Sequence, residues 1–149
     1  MKKLFLTLFI LIPTFSFALP NCMDKKEILK VDNHAVLNYK EFMEKGFKVR
    51  ALVSGVIVSE IENRQGHTHL EIDLDQDLKT TDDRIEAVFS NQYGQLPTIA
   101  GGERTILCGD FIVDPFSPQK AIIHWLHQSP SVKKHDHGFM TVNDVIYGL

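Results

Sequence analysis

Six of the seven histidines in this chain fall into two short segments. The first segment carries His67 and His69. The second carries the other four: His124, His127, His135 and His137. Imidazole is the commonest protein metal ligand and the side chain best suited to proton transfer near neutral pH. Two histidine segments that meet in one fold would therefore form a metal site or an acid–base site.

Residues 67–74 alternate between polar and apolar side chains, which predicts a half-buried strand. The polar face carries His67, His69, Glu71 and Asp73. Neighbours on one face of a strand lie about 6.6 Å apart along its axis, so adjacent side chains can lean onto one ion. Nitrogen and carboxylate ligands suit zinc or another first-row divalent metal. For Glu71 and Asp73, a solvated outer strand face is the favoured interpretation.

A second histidine strand is predicted over residues 120–127. If this strand is regular, His124 and His127 point to opposite faces and cannot bind one ion. They converge only if the strand ends or twists near Leu126, and the loop that follows is flexible enough to return further ligands. The predicted metal site, with zinc as the expected type of ion, consists of these residues: His69, His124, His127, His135 and His137.

The same histidines allow two other interpretations. In a metal-assisted hydrolase of phosphodiesters or glycans, His124 or His127 would be the general base, with Lys133 or Lys134 steering the anion. The chain has no Gly-x-Ser-x-Gly, phosphate-binding-loop or zinc-protease motif, which counts against this class. In a non-enzymatic interaction protein, the histidines would form a pH-sensitive surface that switches between roughly pH 5 and 7.

Two residues beside the histidines have open roles. Trp125 is the only tryptophan; it is either a core residue, which is favoured, or a stacking platform for a base or sugar ring. Asp110 follows Gly109 and is either a turn residue or a carboxylate aimed at the site.

The first eighteen residues are typical of a cleaved secretory signal. Lys2 and Lys3 precede an apolar run over residues 4–12, and small residues end at Ala18. The apolar run is shorter than the about 20 residues of a membrane-spanning helix, so we expect no transmembrane segment after cleavage. We expect residues 19–149 to form one exported domain, periplasmic or secreted.

The net charge limits the expected partners, and the cysteine content predicts a disulfide. The net charge is −3 for the whole chain and −5 after removal of the two leader lysines, which argues against a generic nucleic-acid binder. The expected ligand of the histidine-rich site is a divalent metal or a small anionic ligand, and an envelope or extracellular protein is the alternative partner. Two cysteines in an exported chain predict one disulfide, Cys22–Cys108, because oxidising compartments favour such pairs.

The elements that must position these residues follow from periodicity. Residues 24–45 show a helical pattern that ends before Gly46, with Asp32-Asn33 leaving one helix or two short ones open. Gly55 lies within the first predicted strand and predicts a bulge or bend. The predicted strands and final hairpin are residues 47–61, 67–74, 84–90, 104–113, 120–127 and 138–147.

These patterns predict a mainly β domain with an N-terminal helix. The expected fold is a small OB-like, partly open antiparallel barrel of five to six strands. A lipocalin-like or cystatin-like arrangement is the alternative.

Residues spread over most of the mature chain match a recurring pattern: Gly66, His69, Asn91, Gly109-Asp110, residues 121–127, Pro130 and Gly138. In these residues the chain resembles a family of small exported bacterial proteins catalogued only as a domain of unknown function. The His-Trp-x-His segment is the most specific part of the resemblance. The family pattern includes His69, His124, His127 and one of His135 or His137, whereas His67 lies outside it.

The chain departs from that family where Gln128 and Ser129 stand in place of a second histidine and an Asp. The family has no assigned activity. The resemblance therefore implies which positions matter and leaves the reaction open.

Overall fold

The structure is a computed structural model that describes residues 18–149, so the predicted signal segment lies almost wholly outside it. One α-helix, nine strands and a short 3-10 helix over Asn91–Tyr93 occur in the described range. In chain order they are β1 Met23–Asp24, β2 Glu27–Ile28, α1 Asn33–Phe42, β3 Lys48–Arg64, β4 His67–Asp73, β5 Arg84–Ser90, β6 Arg104–Val113, β7 Ala121–His124, β8 Phe139–Val142 and β9 Val145–Tyr147.

Seven strands form one sheet in the order β3-β4-β5-β7-β6-β8-β9, and β3 also pairs with β6. The pairings of β3, β4, β5, β7 and β6 thereby close into a ring, and the sheet takes a barrel-like shape. β3 pairs with β6 as far as Val56 and with β4 from Val56 onward. Gly55 lies at this changeover, where an added Cβ would stand 2.2 Å from the carbonyl oxygen of Asp73. The sequence predicts a bulge or bend at Gly55. What the structure shows there is a close approach of two backbones, which only a residue without a Cβ permits.

The sheet is mixed, because β5 and β7 run parallel. The predicted barrel of five to six antiparallel strands is corrected in both respects: the sheet has seven strands and one parallel pair. β6 returns along β3, and β7 then turns back between β6 and β5. Local sequence periodicity identifies strands but does not specify such a non-local pairing.

The helix is shorter than the predicted 24–45. Asp32 caps it by accepting a hydrogen bond from the Ala35 N–H at 2.9 Å, which satisfies one of the free donors of the first turn. The residues before Asp32 instead form the two-stranded β1–β2 hairpin. The helical pattern of the sequence continued through that hairpin only because its apolar residues happen to be spaced by threes and fours.

The predicted disulfide is confirmed. Cys22 and Cys108 are bonded, lie 86 positions apart and are both buried, so the bond attaches the N-terminal hairpin to β6. No helix within residues 18–149 combines the length and the apolar character needed to cross a membrane.

The hydrophobic core lies inside the curled sheet, and alternation sends the intervening side chains outward. Leu70 of β4, Ala87 of β5, Phe111 of β6 and Ile123 of β7 are completely buried. Val36 of α1 packs against the same core. The outward positions of these four strands carry the polar residues of the candidate site.

Candidate functional site

An open pocket of about 410 Å³ lies on the outer face of β4, β5 and β7. The β3–β4 turn forms one wall, and the β6–β7 loop, with Phe116 and Ser117, forms another. The ionisable side chains that line it are Glu62, Arg64, His67, His69, Glu86, Asp114 and His124.

The register of the strands places the three histidines of the pocket on the same face of the sheet. These residues, the pocket histidines, are His67, His69 and His124. His69 lies opposite Val88 of β5. Val88 in turn lies beside His124, one step beyond the registered pair Ala87 and Ile123. The centroids of the His67 and His124 rings are 5.8 Å apart. The side chains of His67 and His124, which come from strands about 9.6 Å apart, thus approach each other across β5.

His69 is held by a buried carboxylate. Its Nδ1 lies 2.5 Å from Oε1 of Glu86, a residue with only 5% of its surface exposed. The other carboxylate oxygen of Glu86 accepts a hydrogen bond from the Ser117 hydroxyl. A histidine that donates its Nδ1–H in this way keeps a lone pair on Nε2, which is the arrangement behind most metal-binding histidines.

The other two pocket histidines also have the properties of metal ligands. The Nδ1 of His67 lies 3.2 Å from the carbonyl oxygen of Gln65, and donation to that oxygen leaves Nε2 with its lone pair. Burial, together with the proximity of His67 and His127, lowers the pKa of His124. His124 is therefore neutral at pH 7, which is the form that binds a metal.

The charges around the pocket favour a cation over an anion. The lining includes three carboxylates, those of Glu62, Glu86 and Asp114, and one guanidinium, that of Arg64. Arg64 is already paired with Glu62 at 2.9 Å. An anionic ligand would thus meet an excess of negatively charged side chains.

The remaining predicted ligands, the loop histidines His127, His135 and His137, lie in a different environment. His127 stacks on Tyr93, with ring centroids 3.8 Å apart and planes inclined by 8°. Trp125 lies between His127 and His135, at 4.7 and 4.3 Å from their ring centroids. These contacts make a row of four rings, called the ring stack below, in which Tyr93 and His127 are parallel and Trp125 is tilted by 38° and 37° from the planes of the two imidazoles.

Asp110 anchors that stack to the barrel. Its carboxylate lies 2.9 Å from Nε2 of His135, 2.6 Å from Nζ of Lys48 and 3.1 Å from Nη1 of Arg50. Burial alone would raise the pKa of Asp110, but hydrogen bonds from Lys48, His135 and Arg50 outweigh it and hold that pKa below its usual value. Arg50 also donates to the carbonyl oxygen of His137. Asp110 is thus an organising carboxylate for the loop.

β7 ends at His124, three residues before the predicted end of this strand at residue 127. The next residue, Trp125, has a φ of +62°, a left-handed conformation that is costly for a bulky side chain. This break carries His127 out of the strand pattern and into the ring stack. Trp125 is partly buried between two imidazoles, so it belongs to neither the barrel core nor an open stacking platform.

The structure does not gather the five predicted ligands into one site. Among residues 18–149, the one group of three or more His, Cys, Asp or Glu ligand atoms within 4.8 Å of one another is Asp73, Asp75 and Asp83. His69 and His124 line the pocket, and the loop histidines are not part of its lining, although His127 is near enough to His124 to lower its pKa. Lys133 and Lys134 are exposed.

Sequence reasoning underrated three residues of the pocket. His67 shares a face with His69 by simple alternation, and the family resemblance alone set it aside. Glu86 is the one acidic residue in the otherwise apolar run 85–89, which is a usable signal of a buried functional carboxylate. Ser117 has no comparable signal, because its contact with Glu86 depends on the path of a loop.

Comparison with protein-family models, with curated proteins and with solved structures gave no significant match for this chain.

Proposed function

We propose that this chain is an exported OB-like binding domain that holds a divalent transition-metal ion, such as zinc, in the pocket over β4, β5 and β7. OB folds bind ligands on the face of their second and third strands, between the loop joining strands one and two and the loop joining strands four and five. The five strands of the closed ring are β3, β4, β5, β6 and β7 in chain order. Their second and third strands are β4 and β5, and the two loops correspond to the β3–β4 turn and the β6–β7 loop. The pocket occupies this place, which supports the OB-like assignment.

The observation that carries the metal proposal is the pairing of Glu86 with His69 beside His67 and His124. In this proposal the three pocket histidines are the ligands, and Glu86 orients His69 through Nδ1. Imidazole nitrogen selects zinc, copper, nickel and similar ions over calcium and magnesium. The ion would supply a fixed positive charge at the base of the pocket, with room above it for a small ligand.

The pocket requires a local adjustment to hold the ion. Because no three imidazole nitrogens of the described residues lie within 4.8 Å of one another, at least one ring must rotate before three can bind together. His67 is the residue suited to this, because it is the first residue of β4, is only partly buried and borders open pocket volume. Such a site is assembled by the metal rather than preformed.

Zinc titration of the purified protein by calorimetry tests this function. We expect one ion per chain, and a loss of at least about tenfold in affinity for His69→Ala or His124→Ala, as is typical when one element of a metal shell is removed. His34→Ala is the matched control, because His34 is exposed on α1 and hydrogen-bonds only to its helix neighbour Asn38. No binding by the wild type, or equal binding by all three variants, would refute the proposal.

The hydrolase interpretation assigns the general base to His124 or His127 and the anion contact to Lys133 or Lys134. Of these residues only His124 lines the pocket, so the pocket does not bring the proposed base and lysine together. A phosphodiesterase screen of the zinc-loaded protein and its His124→Ala variant would measure this alternative directly.

A further inference from the structure

The loop between β4 and β5 begins and ends on buried aspartates. Asp73 is completely buried, Asp83 is 5% exposed, and Asp75 between them is exposed. One carboxylate oxygen from each of the three lies within 4.8 Å of the other two. Three negative charges are thus held together at the end of the barrel, two of them away from water.

Only one of the two oxygens of each buried carboxylate accepts a hydrogen bond from the loop. Oδ2 of Asp83 accepts the N–H groups of Leu74 and Asp75 at 3.1 and 2.8 Å. Oδ1 of Asp73 accepts the N–H of Gln76 at 2.7 Å. The other oxygens, Oδ2 of Asp73 and Oδ1 of Asp83, are buried and find no hydrogen-bond partner within residues 18–149.

The nearby arginine compensates for this only in part. Nε of Arg84 forms an ion pair with Oδ2 of Asp73 at 3.8 Å, which is too long for a hydrogen bond. That Nε is itself buried and has no hydrogen-bond partner within residues 18–149, which leaves both groups of Arg84 and Asp73 incompletely satisfied. The other guanidinium nitrogens of Arg84 are already committed to Glu71 and to the carbonyl oxygen of Leu78, each at 3.0 Å. Burial, reinforced by the charge of Asp83, raises the pKa of Asp73. Buried, unpaired carboxylate oxygens are expensive unless a cation completes them.

We propose that Asp73, Asp75 and Asp83 bind a calcium ion. Calcium takes six to eight oxygen ligands at 2.3–2.6 Å, so oxygens on opposite sides of one ion stand about 5 Å apart, as the spacing of this group allows. Exposed Asp75 leaves one side of the ion open to water, which commonly completes such shells.

The sequence of the loop agrees with this chemistry. Asp73, Asp75 and Asp77 have the alternate spacing with which known calcium loops begin. The loop is not an EF-hand, because Leu78 stands at the glycine position and Arg84 at the position of the final glutamate. In the proposed site the last carboxylate instead comes from Asp83, the residue just before β5.

Hard oxygen ligands distinguish this site from the histidine pocket. Carboxylates suit calcium, whereas imidazoles suit zinc. The inference therefore stands independently of the proposed function, and the two sites respond to different substitutions.

Calcium titration of chelator-treated protein, followed by thermal unfolding with and without calcium, tests the proposal. We expect one ion per chain, and a rise in Tm on the order of 10 °C at a hundredfold excess over Kd. Asp83→Asn should abolish this rise, because an amide of the same shape can still accept the Leu74 and Asp75 N–H groups but supplies no second anionic oxygen. Asp82→Asn is the matched control, since it removes the same charge from the adjacent exposed position and should keep the full response.

If Asp83→Asn does not fold, the exposed substitution Asp75→Asn replaces it, with an expected loss of at least tenfold in calcium affinity. His124→Ala should leave the calcium response unchanged. Absence of a calcium response in the wild type, or a full response in both Asp83→Asn and Asp75→Asn, would overturn the proposal. The two unpaired oxygens would then be explained by a proton that Asp73 shares with Asp83.

Discussion

Replacing Asp110 by asparagine tests whether the loop histidines are structural. Asp110 and its partner Arg50 each have only 5% of their side chain exposed. The carboxylate also holds His135 at 2.9 Å and Lys48 at 2.6 Å. Asparagine has nearly the same shape, so Asp110→Asn removes the charge with little change in packing.

The expected loss of stability follows from burial. Removing one partner of a buried ion pair costs about 3–5 kcal/mol, because the other charge is left uncompensated. That is a large part of the about 5–15 kcal/mol by which a domain is stable. Lys48→Met is the control, since the side chain of Lys48 is 55% exposed and exposed pairs contribute about 1 kcal/mol or less.

Urea unfolding of both variants at pH 7, followed by tryptophan fluorescence, measures this difference directly, because Trp125 packs against His135. We expect a fall of at least about 3 kcal/mol for Asp110→Asn and a small change for Lys48→Met. Equal effects of the two variants would refute the assignment of Asp110 as the organising charge.

The stabilisation by Asp110 also depends on pH. Because the folded pKa of Asp110 lies below its unfolded value, its stabilisation is present above about pH 4 and is lost as pH falls through the lower folded value. Asp110→Asn should remove this part of the acid dependence. A variant that keeps the wild-type acid profile would contradict the inferred interaction.

Three further predictions concern the stability of the fold and the ionisation of the pocket. Reduction of the Cys22–Cys108 disulfide opens a loop of 86 positions and should lower stability by about 4.5 kcal/mol on the chain-entropy estimate; an unchanged urea midpoint would argue against it. Gly138→Ala would place a Cβ 1.8 Å from the carbonyl oxygen of Trp125, and thermal unfolding should show a loss of about 1–3 kcal/mol or more. Burial lowers the pKa of His124, so stability should decline as pH falls from about 6.5 toward the lower folded value. His124→Gln should flatten that decline, and a profile unchanged by this substitution would count against a neutral His124.

Strand positions could be predicted from the sequence because alternation is a local property. Residues 84–90 and 104–113 match β5 and β6, and the predicted hairpin over residues 138–147 is formed by β8 and β9, with Asn143 and Asp144 at its turn. Both turn residues have positive φ, at 47° and 70°, as a tight hairpin requires. In these segments the side-chain pattern and the turn chemistry specify the same structure.

Pairing and strand ends could not be predicted in the same way. The parallel contact of β5 with β7 depends on the path of the whole chain rather than on either segment. The end of β7 depends on the left-handed conformation of Trp125, for which a bulky aromatic residue gives no local signal. The predicted ligand set therefore stays a prediction: of its five histidines, the structure places His69 and His124 in the pocket lining, where His67 joins them.

NMR of the imidazole nitrogens during zinc titration identifies the ligands of the proposed zinc site one by one. We expect the Nε2 resonances of His67, His69 and His124 to shift together at one zinc per chain, while those of His34 and the loop histidines stay unchanged. Shifts confined to the loop histidines, or no shift at any pocket histidine, would contradict the proposed site.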